Sequence, residues 1–484
     1  MSKNLRVYAN WIEANRDKLI SISDQIWSFA EIGLEEYKSS ELLANTLKEA
    51  GFKVDMGVAE MPTAFVASYG SGKPVIAILG EYDALPGLSQ VAEPIKKPLK
   101  ENAPGHGCGH NLLGTGSLGG VLAVKEAIDA GDAKGTIRYY GCPAEERFNA
   151  KGFMALNGLF EDVDISLTWH PSFLNMVNTM SAMAVNSVVF AFHGRTAHAA
   201  GDPQNGRSAL DAVELMNIGA NYLREHVIND VRLHYVITNG GLAPNIVPEY
   251  AEVWYFIRAP NRGIVEETYE RVLKIAKGAA LMTETELEVI FLGGMYNHLA
   301  NESIWEVLNS NMRKARAPKF KSEEIEFAKE IKKTTNPKFM EGYTRYIPPD
   351  FMDLAMSILS QPLNKMVLPM LGKGMVAPGS TDVADVSWVT PLGEFQTACS
   401  AMGSPGHSWQ NAAAAGMSIG HKGMLTAAKV LAFSAIDFMN NPELVEKARK
   451  EFEERTKDNP YKSPFPEGYV PPFEKLKKLS GSLS

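Results

Sequence analysis

Cysteine is scarce: Cys108, Cys142 and Cys399 are the only three thiols in 484 residues. That is too few for a disulfide framework and fits a reducing compartment, so a cytoplasmic location is expected. Long apolar runs are missing too. Stretches such as PVIAILG are strand-length and cannot span a bilayer. The N-terminus, MSKNLRVYANWIEANRDKLISISDQIWSFAE, is charged throughout and lacks the apolar core of a signal peptide. No lysine- or arginine-rich patch stands out, and the net charge of −8 is scattered. Neither nucleic acid nor membrane is therefore expected as a partner. There is no internal repeat. The His-x-Glu and Pro-Cys-x-x-Cys pattern of zinc nucleobase deaminases is absent, which sets that chemistry aside.

What remains is an ordinary globular composition, 45% hydrophobic and 21% charged, in a chain too long for one compact core. The first third alternates strand and helix patterns. TAFVASYG, PVIAILGEYDALP, GTIRYYGCPAEE and DVDISLTWHP read as strands, with helices over 111–131 and AKGFMALNGLF. This predicts an α/β unit with a mostly parallel sheet covered on both faces. Near Ser181 the texture changes to alternating strands with helices over about 208–226 and 265–282. That is an inserted α+β unit over 181–296, which leaves 1–180 and 297–484 to form the main domain. Residues 1–31 read as one amphipathic helix and about 412–439 as the last one. Residues 300–372 carry no chemical motif, and the proline-rich tail NPYKSPFPEGYVPPFEKL reads as extended.

The stretch PGHGCGHNLLGTG, residues 104–116, places a thiol between two histidines, with glycine at 105, 107 and 109. Residues two apart in extended backbone face the same way, so Cys108 and His110 can serve one ion. Functional groups in a parallel sheet collect at the carboxyl ends of its strands. Three such ends carry ligand types: Glu81-Tyr82-Asp83, Glu145-Glu146 and His170. Each has a plainer explanation alone. A buried cysteine is usually a small hydrophobe, the reading given to Cys142 and Cys399. His234, His298 and His421 read as ordinary core or surface residues, and Glu145-Glu146 alone could be a solvated helix start. The convergence of thiolate, imidazole and carboxylate on one edge is what points to metal. Of the adjacent glutamates, one can ligate while the other acts as general base on water acidified by a divalent ion. Spacing does not say which does which.

At these residues the sequence resembles the dinuclear-metal aminoacylase and carboxypeptidase family, in its amidohydrolase branch. The likeness runs through GEYDALPGLSQ, GHGCGHNLLGTG, YGCPAEE, LTWHP, AHAA with GRSALDA, NIVP, IRAP, STDVADVSW and HKGML. It implies a zinc-peptidase-like catalytic domain with an inserted lid and dimerisation domain. It implies Cys108, His110, Glu146, His170 and His407 as ligands of two divalent ions, zinc or manganese first, with Cys108 bridging. Glu145 would be the general base and proton shuttle. Asp83 would orient a ligand, with His106 in a similar place. His198, often delivered across the dimer interface, would stabilise the oxyanion, and Asn245 and Arg258 would hold a substrate carboxylate. Two departures stand out. Asn111 replaces the branch's usual aspartate, and RFNAKG follows the glutamate pair, so Arg147 and Phe148 are expected to reshape the pocket.

The function so implied is metal-dependent cleavage of an amide between an acyl or aroyl group and an amino acid. p-Aminobenzoyl-glutamate or a similar conjugate leads among small-molecule substrates, with a dipeptide or an indole-acetyl-amino acid as the alternatives. The expected assembly is a homodimer through the lid, with a homologous partner subunit as a further option. A non-catalytic partner subunit is the competing reading from outside enzymology. The intact ligand set argues against it.

Overall fold

The computed structural model describes residues 3–479 apart from seven positions between 337 and 346. The chain divides into two compact units. The larger comprises 1–180, 299–375 and 386–462, and the smaller comprises 181–298, 376–385 and 463–484. Segments 376–385 and 463–484, assigned from sequence to the main domain, thus cluster with the inserted unit. Phe465 and Leu476 are buried, and Lys475 pairs with Glu252 of that unit. The tail is also not wholly extended, since Phe473–Leu479 is helical.

The larger unit is built on a seven-stranded sheet. Its strand order is Lys53–Met56, Phe65–Ser71, Gly135–Cys142, Val75–Glu81, Ile165–Ser172, Leu392–Ala398, Met176–Val177. The four strands from Gly135–Cys142 to Leu392–Ala398 pair in parallel, and antiparallel strands close both edges. Val75–Glu81, VIAILGE, is buried at every position, as a central strand covered on both faces must be. Helix His110–Asp129 packs on this sheet and against Ser418–Asn440. Its backbone carbonyls and hydroxyls are used there: Trp169 Nε1 donates to Leu113 O at 3.1 Å, and Ser117 Oγ donates to Leu79 O at 2.7 Å.

Two helix boundaries differ from the sequence expectation. The N-terminal amphipathic stretch is two helices, Lys3–Ala14 and Arg16–Phe29, separated at Asn15. The helix expected over about 412–439 is likewise split, into Trp409–Ala415 and Ser418–Asn440, and it is not the last, since Pro442–Thr456 follows. Gly416 sits at that break, where a β-carbon would come within 2.6 Å of the Trp27 ring. A tertiary contact of that kind leaves no periodic trace in sequence.

In the motif-free 300–372 stretch, helix Glu302–Ala315 is capped from outside. Glu451 accepts from the Glu302 and Ser303 amides at 2.8 and 2.9 Å and from Ser303 Oγ at 2.7 Å. Asn301 Oδ1 accepts from Ile304 N. Burial works against the Glu451 charge, but these donors and Arg455 hold its carboxyl below the usual carboxylate range. A depressed carboxyl contributes stability above the ordinary carboxylate pKa, and the contribution is lost as pH falls through the depressed one. Glu451→Ala is expected to cost about 1 kcal/mol, by analogy with loss of a helix cap, and to lower Tm at neutral pH. The deficit should shrink in acid, where the native protein has lost the same charge; thermal melts across pH check both.

The smaller unit is a four-stranded antiparallel sheet in the order Glu286–Met295, Ala184–His193, Tyr250–Ala259, Arg232–Asn239. Helices Ala209–Leu223 and Arg262–Thr283 cover one face, with Val188, Phe190, Val213, Met216, Tyr255 and Val272 in the core between them. No helix among the described residues is long and apolar enough to cross a membrane.

Candidate metal centre

The four parallel strands bring their carboxyl ends to one edge. Val75–Glu81 ends in Glu81 and continues to Asp83. Gly135–Cys142 leads through Ala144, held at φ +55°, into Glu145 and Glu146. Ile165–Ser172 carries His170, and Leu392–Ala398 leads on to His407, itself at φ +52°. Helix His110–Asp129 starts at the same edge. This is where a parallel sheet places its ligands.

The loop before that helix is walled by backbone. Gly105 exchanges backbone hydrogen bonds with Leu85, and a β-carbon on it would lie 2.0 Å from the Leu88 carbonyl oxygen. Gly109 adopts φ +83°, which turns the chain into the helix at His110. Cys108 and His110 are fixed by this turn.

The donor atoms meet in pairs. Cys108 Sγ lies 3.4 Å from His170 Nε2, His407 Nε2 3.3 Å from Glu146 Oε1, and His110 Nε2 3.2 Å from Glu81 Oε2. Metal–donor bonds of about 2.0–2.3 Å put neighbouring ligands of one ion at separations like these. Three groups of ligand atoms lie within 4.8 Å of one another: Cys108–His110–His170, Cys108–Glu146–His407 and Glu81–His110–Glu145. Cys108 joins the His170 group to the Glu146–His407 group, as a bridging thiolate would.

Hydrogen bonds on the far sides set the histidine tautomers. His110 Nδ1 is 2.7 Å from Asp83 Oδ1, and His170 Nδ1 is 2.7 Å from Pro171 O. Both partners are acceptors, so each Nδ1 carries hydrogen and each Nε2 faces inward with a lone pair. Asp83 Oδ2 also accepts from the Glu146 amide at 3.0 Å. His110 Nε2, Glu81 Oε2 and Glu146 Oε1 are buried without a hydrogen-bond partner among the described residues. Orphaned acceptors converging in a buried spot fit a divalent cation.

Protonation tells the same story. Burial opposes charging of His110, yet Cys108, Asp83 and Glu81 raise its affinity for a proton well above that of an ordinary imidazole. Burial, with Glu146 adding repulsion, raises the Cys108 thiol. The adjoining Glu146 carboxylate raises His407. Protons are thus held where a cation would sit, and binding one displaces them.

The structure brings Cys108, His110, Glu146, His170 and His407 together, with Asp83 on His110 and Glu145 beside them. His106 instead points its Nε2 at Ile26 O, 3.0 Å away, and burial lowers its pKa to about 4. Phe148, expected to reshape the pocket, is buried with its ring edge-on to Phe153. Arg147 donates to Gly33 O at 3.3 Å. Within the smaller unit, His198 Nδ1 accepts from the Ala200 and Gly201 amides at 3.2 and 2.9 Å, so Nε2 carries the hydrogen. Asn245 O accepts from Ala199 N. Arg258 lies over the Phe256 ring, and its buried Nε has no partner among the described residues.

Sequence reasoning missed three buried residues here. Glu36 accepts from Ala144 N at 2.7 Å and Thr63 Oγ1 at 3.1 Å, clasping the turn before Glu145; burial and the Asp83 charge push its pKa up to about 8. Lys151 Nζ lies 2.7 Å from Glu81 Oε1. Glu394 is held by Asn178 Nδ2 at 2.8 Å. Glu81 was visible at its strand end but had no assigned role; Lys151 lay unread inside RFNAKG.

Asn111, the departure from aspartate, donates to Ser23 O, Ser23 Oγ and Ala415 O. Asn111→Asp would set a buried carboxylate against two carbonyls, and is expected to cost about 1–3 kcal/mol with a matching fall in Tm. An unchanged melt would contradict this account of the asparagine.

The model of a peptidase dimerisation domain matches residues 180–282. One of the subunits of the Escherichia coli p-aminobenzoyl-glutamate hydrolase is 42% identical over 480 residues, covering 97% of this chain and 99% of that protein. The human Xaa-Arg dipeptidase is 28% identical, covering 92% and 91%. A dinuclear metal-binding peptidase of the M20 family from Bacillus subtilis shares the fold at a TM-score of 0.57 and 14% identity, covering 88% of this chain and 99% of that one. With near-complete coverage at 42% identity and the dimerisation domain in place, this chain belongs to the M20 peptidase family.

Proposed function

We propose that this amide hydrolase acts on p-aminobenzoyl-glutamate or a closely similar aroyl-amino acid, with two divalent ions held by Cys108, His110, Glu146, His170 and His407. The observation that carries this reading is the convergence of those donors beside Glu145, in a chain 42% identical to a p-aminobenzoyl-glutamate hydrolase subunit. When bound, the ions supply Lewis acidity and lower the pKa of water. The residues do the rest. Glu145 accepts the proton of the attacking water and passes it to the departing amine. Asp83 keeps His110 in the tautomer that presents Nε2. His198, with its hydrogen fixed on Nε2, donates to the oxygen that gains charge on the carbonyl. Arg258, with no carboxylate paired to it among the described residues, and Asn245 hold the carboxylate of the amino-acid half.

Turnover of p-aminobenzoyl-glutamate, acyl-amino acids and dipeptides by the isolated chain, with zinc, manganese, cobalt or nickel restored, tests the assignment. Preference for dipeptides would move the substrate toward that of the human relative. No turnover of any of them at full metal content would favour a partner-subunit role. We also propose a dimer through the smaller unit. His198→Ala is expected to lower kcat about a hundredfold with metal content unchanged. If His198 serves the partner's site, mixing this variant with a Glu145 variant restores activity in verified mixed dimers; no recovery there rejects sharing.

A further inference from the structure

The five expected ligands leave one buried ion pair at the centre unexplained. Glu81 and Lys151 side chains are 2% and 0% exposed, with Nζ 2.7 Å from Oε1. An ammonium taken this far from water is costly unless closely paired. The second carboxylate oxygen, Oε2, faces His110 Nε2 at 3.2 Å, and neither atom has a further hydrogen-bond partner among the described residues. His110 already gives its Nδ1 hydrogen to Asp83, so a neutral ring turns a lone pair toward a carboxylate oxygen. Two acceptors at that distance repel unless a cation joins them. In the metal-free protein a proton can do so; in the loaded protein a metal ion can. The separation matches those of the Cys108–His170 and His407–Glu146 pairs, and Glu81 groups with His110 and Glu145 within ligand reach.

We propose that Glu81 is a further protein ligand of the ion bound at the His110 end of the centre, held ionised and presented through one oxygen by the buried ammonium of Lys151. The inference rests on the metal-centre reading and adds a sixth ligand to it. Lys151 occupies Oε1, so only Oε2 is offered and Glu81 cannot chelate with both oxygens. The ion at the His110–His170 end then receives a carboxylate, as the ion at the Glu146–His407 end does. Lys151 is a positioning residue: its ammonium touches Glu81 and acts through it.

The test is cobalt titration of metal-free protein, followed by equilibrium dialysis, the thiolate-to-cobalt absorption band of Cys108, and Tm with and without metal. Wild type is expected to take up two ions. Glu81→Gln should keep one at wild-type affinity and bind the other at least about tenfold more weakly, with a smaller metal-induced rise in Tm. Lys151→Met leaves the Glu81 charge uncompensated until the ion arrives, so its metal-induced rise should exceed that of wild type. Because Glu81→Gln removes a countercharge beside a buried ammonium, the double variant Glu81→Leu with Lys151→Met serves as the folded control, and it should show the same loss of one ion. Two ions at unchanged affinity in the double variant would overturn the proposal and leave the five-residue centre standing. Wild type that binds no cobalt through Cys108 would overturn the centre itself and Glu81 with it.

Discussion

Glu145→Gln is expected to keep the full metal content of the wild type while kcat falls at least about a hundredfold, roughly 2.7 kcal/mol of barrier. Glutamine preserves the shape and hydrogen-bonding reach of the side chain but cannot take up the proton that the attacking water must lose. The backbone around it is held independently. Ala144 is pinned by the Glu36 carboxylate, and the Glu146 amide by Asp83, so the substitution leaves the left-handed turn intact. Metal analysis beside steady-state kinetics decides the matter. A variant that loses an ion would make Glu145 a ligand, and near-normal turnover would remove it from proton transfer.

Cys108→Ala is expected to weaken both ions together, by more than about a hundredfold in affinity, because among the described residues Cys108 alone belongs both to the group with His170 and to the group with Glu146 and His407. Activity at limiting metal should fall below detection. The pH dependence of loading should change as well. Burial keeps the metal-free thiol protonated beyond its ordinary range, so wild-type loading releases a proton and tightens as pH rises. With alanine that part of the pH dependence disappears. Calorimetric titration in buffers of different ionisation enthalpy counts the protons released. Equal counts in wild type and variant would show that Cys108 is not a ligand.

Much of the catalytic unit could be read before folding because its signals are local. Period-two and period-3.6 patterns marked the strands and helices, and GEYD, PAEE, TWHP and GHGCGH marked where strands stop and helices start. The parallel sheet converts those endings into one place, so the candidate ligands at the strand ends could be read from order along the chain. The remainder depends on pairings between distant residues. Glu36 meets Ala144 across 108 positions, and Trp27 meets the break at Gly416 from the opposite end of the chain. Neither leaves a periodic trace. Lys151 was hidden for another reason: on a short helix after a charged stretch, a lysine reads as solvent-facing, and only the fold shows it buried beside Glu81. His106 shows the other case, placed near the chemistry by sequence proximity while its Nε2 faces the Ile26 carbonyl.

Peptide groups, rather than side chains that can swing aside, hem in the bend at Gly105, and Gly109 completes it in a left-handed conformation. Cys108 and His110 therefore reach their stations as the polypeptide folds, and the proposed receptor for the cations would be finished before any cation came. Loading then needs only the departure of protons and water from a ready cradle, so apoprotein stripped by a chelator should take its metals back without passing through an unfolded state.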